Sequence, residues 1–172
     1  MTESPLNGKR ILAVEDEPDV LDVLQEEILE ACPNCAFDRA TTYEEAVGKL
    51  KTNTYDAVIL DIMGVRGFDL LDAAVAKNMK AVMLTAHALN PEALKRSYDK
   101  KAQAYLPKDK LGEIVPFLER MLEFEFPPGW KYVMRGLEGY FNEKFTPFKG
   151  MREFADWLEV QRKTGSDRSD TQ

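Results

Sequence analysis

Five polar residues stand at or just beyond the C-terminal ends of short apolar runs. Glu15 and Asp16 follow Arg10-Ile11-Leu12-Ala13-Val14, Asp61 follows Ala57-Val58-Ile59-Leu60, and Thr85 follows Ala81-Val82-Met83-Leu84. Lys108 follows the run from Ala102 to Leu106 and its Pro107. If these runs are neighbouring strands, three carboxylates, a hydroxyl and an ammonium meet at one edge. Two unit charges 4 Å apart repel by roughly 4 kcal/mol at an effective dielectric of 20, so such a cluster needs a counter-charge. A hard divalent cation supplies it, and Mg²⁺ is held as a rule by one or two carboxylates with waters and phosphate oxygens. One carboxylate could then act as a nucleophile toward phosphorus. Lys108 and the metal would neutralise the phosphoryl oxygens, and the Thr85 hydroxyl would donate a hydrogen bond to them.

Positioning them requires a particular scaffold. Apolar runs without alternation fit strands buried on both faces of a parallel sheet covered by helices. Ala36-Phe37-Asp38-Arg39-Ala40 carries charge and fits an edge strand. Between the strands lie helical stretches. Pro18 to Ala31 places Leu21, Leu24, Ile28 and Leu29 on one face. Thr42-Tyr43-Glu44-Glu45 is a capping box opening a helix to about Leu50. Phe68, Leu71, Ala74 and Val75 line a third helix, and Asn90-Pro91 starts a fourth with Ala93, Leu94 and Tyr98 on its thin apolar face. A fifth is expected from about Asp109 to Phe124, kinked or restarted by Pro116. Five strands alternating with five helices predict a doubly wound α/β domain. In such a sheet ligands bind outside the C-terminal strand ends, at the topological switch point, where the five polar residues fall.

The organisation changes after Glu125. Residues 1–125 are expected to form the α/β domain, 126–163 a small helical extension of two helices, and 164–172 a disordered tail. Trp130, Met134, Leu137 and Phe141 mark the first tail helix, and Phe154 and Leu158 the second. That pair is expected to pack as a hairpin, on the domain, or on a second copy of the chain as a homodimer. The chain has 172 residues, 23 Lys and Arg against 30 Asp and Glu, and a net charge of -7. From Phe124 onward eight basic residues balance eight acidic ones, so the whole negative charge lies before the tail. Neither half carries the basic stripe of a nucleic-acid binder. No apolar run approaches the roughly 18 residues of a membrane span, and a cytoplasmic location is expected. With two cysteines and one histidine, a four-ligand Cys/His zinc site is excluded within one chain. Cys32-Pro33-Asn34-Cys35 has a redox spacing, but it closes a helix rather than opening one, so packing near a turn is the favoured reading.

Taken together, these segments resemble the response-regulator receiver domain of bacterial two-component signalling, over roughly residues 8 to 125. Ile11-Leu12-Ala13-Val14-Glu15-Asp16-Glu17 resembles the family's acidic pair after the first strand, and Val58-Ile59-Leu60-Asp61-Ile62-Met63 its phosphoacceptor segment. Met83-Leu84-Thr85-Ala86 is similar to the hydroxyl-bearing switch position, and Tyr105-Leu106-Pro107-Lys108 to the aromatic-x-Pro-Lys segment. The resemblance implies a flavodoxin-like five-stranded parallel sheet of order 2-1-3-4-5 with five helices, and that Asp61 accepts a phosphoryl group from a sensor histidine kinase or a histidine phosphotransfer protein. It implies that Glu15, Asp16, Asp61 and the backbone carbonyl of Met63 hold Mg²⁺, and that Lys108 contacts the phosphate. Thr85 would move toward the phosphate and Tyr105 would rotate inward behind it. Met63 and His87 fall where the family tunes phosphoryl lifetime. Two departures are visible: the loop after Asp61 is short and lacks a proline, and Glu15 replaces the commoner Asp.

The implied function is a phosphorylation-dependent switch of protein contacts, acting on a downstream protein through the fourth and fifth helices or the tail. It is not an enzyme beyond its own phosphorylation and dephosphorylation. An aspartate-nucleophile phosphatase fits poorly, because Met63 stands where its second acid would be. An unphosphorylated receiver-like binding module and a DNA-binding regulator with an atypical tail are the remaining competitors. The intact acidic, hydroxyl and lysine set speaks against the first of these, and the neutral tail against the second.

Overall fold

The computed structural model describes residues 3–86, 91–123, 156 and 160. Its strands are β1 (Arg10–Val14), β2 (Ala36–Ala40), β3 (Ala57–Asp61), β4 (Lys80–Thr85) and β5 (Ala104–Pro107). Its helices are α1 (Pro18–Ala31), α2 (Tyr43–Thr52), α3 (Gly67–Ala76), α4 (Pro91–Asp99) and α5 (Ile114–Glu123). All pairings are parallel, as the alternation of elements predicts, and the order is β2-β1-β3-β4-β5, as the resemblance implies. Every residue of β3 is buried, which is why its sequence shows no alternation. The charged β2 is indeed the strand at one edge.

Helix boundaries follow local chemistry. Leu21, Leu24 and Ile28 of α1 are buried, with Leu29 packed beside them. Thr42 caps α2, its hydroxyl oxygen accepting from the Glu45 N–H at 3.2 Å. The reciprocal arm reaches one residue further back than a standard box, since Glu45 accepts from the Thr41 N–H at 2.8 Å. Of the kink or restart that Pro116 allows, the structure has the restart: a 3-10 segment covers Lys108–Glu113 and the α-helix begins at Ile114, later than the expected Asp109. Pro116 thereby falls in a first turn, where a missing N–H breaks no helical bond. The fifth strand also begins two residues later than the apolar run suggests, at Ala104.

The expected tail helices and the Asn90 cap lie outside the described residues. No helix among the described residues is long and apolar enough to cross a membrane. The Cys-x-x-Cys pair is free and buried, with the Cys35 thiol donating to the Leu6 carbonyl at 2.9 Å. Burial pushes that thiol up to about 12, the opposite of an activated redox cysteine.

Candidate functional site at the C-terminal edge of the sheet

β1 sends its chain to β2 on one side, and the next strand in sequence, β3, lies on the other. The crevice between the C-terminal ends of β1 and β3 is therefore the switch point. Glu15 is held in line by its N–H donating to the Ala40 carbonyl at 3.0 Å, so its backbone continues the β1–β2 ladder. Beyond Asp61, the Ile62 N–H donates to the Leu84 carbonyl at 3.0 Å, which carries the β3–β4 ladder past the acid. Lys108 opens the 3-10 segment directly after β5, and the tight turn aims its side chain back across the edge.

One ammonium meets three carboxylates there. Lys108 Nζ lies 2.8 Å from Glu15 Oε2, 3.2 Å from Glu17 Oε1 and 3.3 Å from Asp61 Oδ2. Glu15 is fully buried, and its other oxygen accepts from the Glu17 N–H at 3.1 Å. Asp61 is 3% exposed, and its Oδ1 accepts from the Met63 N–H at 3.3 Å. Glu15, Asp16 and Asp61 offer ligand oxygens that all lie within 4.8 Å of one another. Burial pushes the Glu15 carboxyl up to about 7, with the Lys108 hydrogen bond opposing the rise. Burial also raises the Asp61 carboxyl, against hydrogen bonding to Glu15 and the charge of Lys108. Burial alone would lower the Lys108 ammonium, but its bond to Glu15 and the charges of Asp61 and Glu15 outweigh that and raise it. Such mutual perturbation in a crevice is a mark of a functional site.

The loop after Asp61 is short because two residues turn it through left-handed backbone: Gly64 at φ 85 and Arg66 at φ 55. Between them Val65 is fully buried and pins the loop to the core. A Cβ on Gly64 would fall on the Asp16 carboxylate, and one on Gly67 would strike the Asp61 backbone carbonyl. Neither glycine was singled out by the sequence patterns, although two glycines three residues apart beside a candidate acid were a usable signal. Glu17 was also missed as a site residue. It stands at the N-cap of α1, makes no side-chain cap bond there, and turns toward Lys108 instead.

The remaining candidates are less tightly drawn in. Thr85 is half-buried at the end of β4, in register with Pro107. Tyr105 is fully buried in β5 opposite Met83, so its ring is already inward. The Met63 side chain is 70% exposed at the mouth. His87 lies outside the described residues.

Residues 11–118 match the family described as the response regulator receiver domain. The chain belongs to that family. Receivers of this kind are the signalling domains of two-component systems and interact with histidine kinases or phosphotransfer proteins. Over 115 residues the chain is 33% identical to the regulatory protein VanRB of Enterococcus faecalis, covering 66% of this chain and 48% of that protein. Over 118 residues it is 30% identical to a gliding motility regulatory protein of Myxococcus xanthus, covering 65% of this chain and 15% of that one. The chain thus spans half or less of the curated relatives it matches. A CheY-like receiver from Methanospirillum hungatei JF-1 superposes with a TM-score of 0.55 at 27% identity, over 67% of this chain and 97% of that structure.

Proposed function

We propose that this receiver is a Mg²⁺-dependent phosphoryl acceptor at Asp61, switching protein contacts rather than binding DNA. The observation that carries the reading is the single Lys108 ammonium shared by buried Glu15 and Asp61, beside a third carboxylate, Asp16. An Asp61 oxygen attacks the phosphorus of a phosphohistidine, the P–O bond forming as the P–N bond breaks and the imidazole leaves. Lys108 neutralises the transferred oxygens, and the Thr85 hydroxyl donates to them. The residues present fit a hard cation: three oxygen-donor carboxylates converge, and Gly64 keeps a side chain off the Asp16 carboxylate. Asp16, Asp61, Glu15 and the Met63 carbonyl would hold Mg²⁺, which when bound supplies charge to offset the phosphoryl oxygens. Met63 and His87 are the positions proposed to tune phosphoryl lifetime, and buried Tyr105 reports occupancy behind Thr85.

The donor is a sensor histidine kinase or a histidine phosphotransfer protein. The downstream partner is a protein reached through α4, α5 or the segment after Glu125. Within these residues, the net charge of -7 and the neutral stretch after residue 123 support protein rather than DNA as that partner. Incubation with a small acyl phosphate and Mg²⁺ should add one phosphoryl group by intact mass, lost in Asp61→Asn and abolished by EDTA. Equal labelling of Asp61→Asn would refute the assignment and favour an unphosphorylated binding module.

A further inference from the structure

An ammonium has three N–H donors. On Lys108 the ammonium donates to Glu17 Oε1 at 3.2 Å and is ion-paired with Glu15 Oε2 at 2.8 Å and Asp61 Oδ2 at 3.3 Å. A phosphoryl group arriving on Asp61 brings three further acceptor oxygens to the same ammonium. They compete with these three contacts for one charge, and the contact that yields is the one whose loss costs least. The three partners differ in what release would cost them. Glu15 has a fully buried side chain, so losing Lys108 would leave an unpaired charge out of water. Asp61 is the residue that carries the phosphoryl group. Glu17 has a side chain 62% exposed, and water can replace the lysine at little cost.

We propose that Glu17 is a positioning residue, an exchangeable counter-ion that holds Lys108 until a phosphoryl group takes its place. The proposal rests on the phosphoryl-acceptor reading and adds to it a residue outside the converging acidic group of Glu15, Asp16 and Asp61. Glu17 suits the role by its backbone as well as its charge. As the N-cap residue of α1 it has extended φ and ψ of -91 and 111, and its side chain makes no cap bond that would tie it to the helix. Its N–H donates to Glu15 Oε1, so the residue that shares the lysine also braces the buried acid. Releasing the exposed arm leaves that brace in place.

The test compares the full chain with Glu17→Gln and Asp19→Asn, using fluoroberyllate as the phosphoryl mimic under saturating Mg²⁺. Asp19 is an exposed acid in the first turn of the same helix, so its variant controls for loss of one negative charge near the start of α1. Glu17→Gln should bind fluoroberyllate tighter by about two- to fivefold, the weight of an exposed ion pair, while Asp19→Asn stays near wild type. The Mg²⁺ affinity of Glu17→Gln should equal that of wild type. The Lys108 ammonium resonance should differ between Glu17→Gln and wild type without the mimic and coincide with it bound. Unchanged fluoroberyllate affinity in Glu17→Gln, or equal tightening in Asp19→Asn, would overturn the exchange. A wild type that binds Mg²⁺ but no fluoroberyllate would refute the phosphoryl-acceptor reading and the exchange with it.

Discussion

The buried acid beside Lys108 should write itself into the pH dependence of stability. Burial raises the Glu15 carboxyl from the ordinary 4.5 to about 7. The folded chain then holds a proton more tightly than the unfolded one, so stability falls as pH rises through the window between those values. The whole span corresponds to about 3 kcal/mol at 1.36 kcal/mol per factor of ten. The chain's isoelectric point is about 4.9, so a practical titration starts above it. From about pH 5.5 to about pH 8, roughly 2 kcal/mol of the effect should remain. Lys108 is raised above its already high ordinary value, so its contribution is intact throughout this range. Asp61 is raised too and acts in the same direction, but it is present in both proteins of the comparison. Urea unfolding in EDTA, followed by circular dichroism, should therefore show wild type losing about 2 kcal/mol relative to Glu15→Gln across that range. Millimolar Mg²⁺ should flatten the difference, because binding that favours the charged carboxylates stabilises the fold by mass action. Parallel pH profiles for the two metal-free proteins would refute the claim that Glu15 is the strained acid of the site.

The glycines of the short loop should separate two roles. Gly67→Ala should destabilise the fold by about 1–3 kcal/mol in chemical denaturation, since its Cβ meets the Asp61 backbone and cannot be accommodated by a side-chain turn. Gly64→Ala should weaken Mg²⁺ binding by about tenfold in calorimetry, because the added methyl displaces the Asp16 carboxylate. Both cysteines should resist a disulfide-exchange reagent in the native protein and react together once urea unfolds it, given their burial and the Cys35 thiol raised to about 12. Lys77→Met should cost about 1 kcal/mol of unfolding free energy, because Lys77 Nζ donates to the Leu50 carbonyl and, at 3.3 Å, to that of Lys51, both in the last turn of α2.

What the linear chain determined was the scaffold and the edge. Uninterrupted apolar runs as short as those of β1, β3 and β4 fit strands buried on both faces. Once they alternate with amphipathic helices, parallel pairing and the convergence of Glu15, Asp16, Asp61, Thr85 and Lys108 on one edge follow from right-handed crossovers. Periodicity could not place the start of α5, because Pro116 permits either a kink or a new first turn, and the turn that aims Lys108 decided it. Nor could it divide labour among the acids. Glu15 and Glu17 are the same side chain two positions apart. One is fully buried against Lys108 with both oxygens engaged, and the other reaches the same ammonium from water. That difference is one of solvation, set by which strand and helix surround each carboxylate, and solvation is a property of the assembled fold. The same holds for Gly64 and Gly67, whose missing side chains matter only because the folded loop presses them against Asp16 and Asp61.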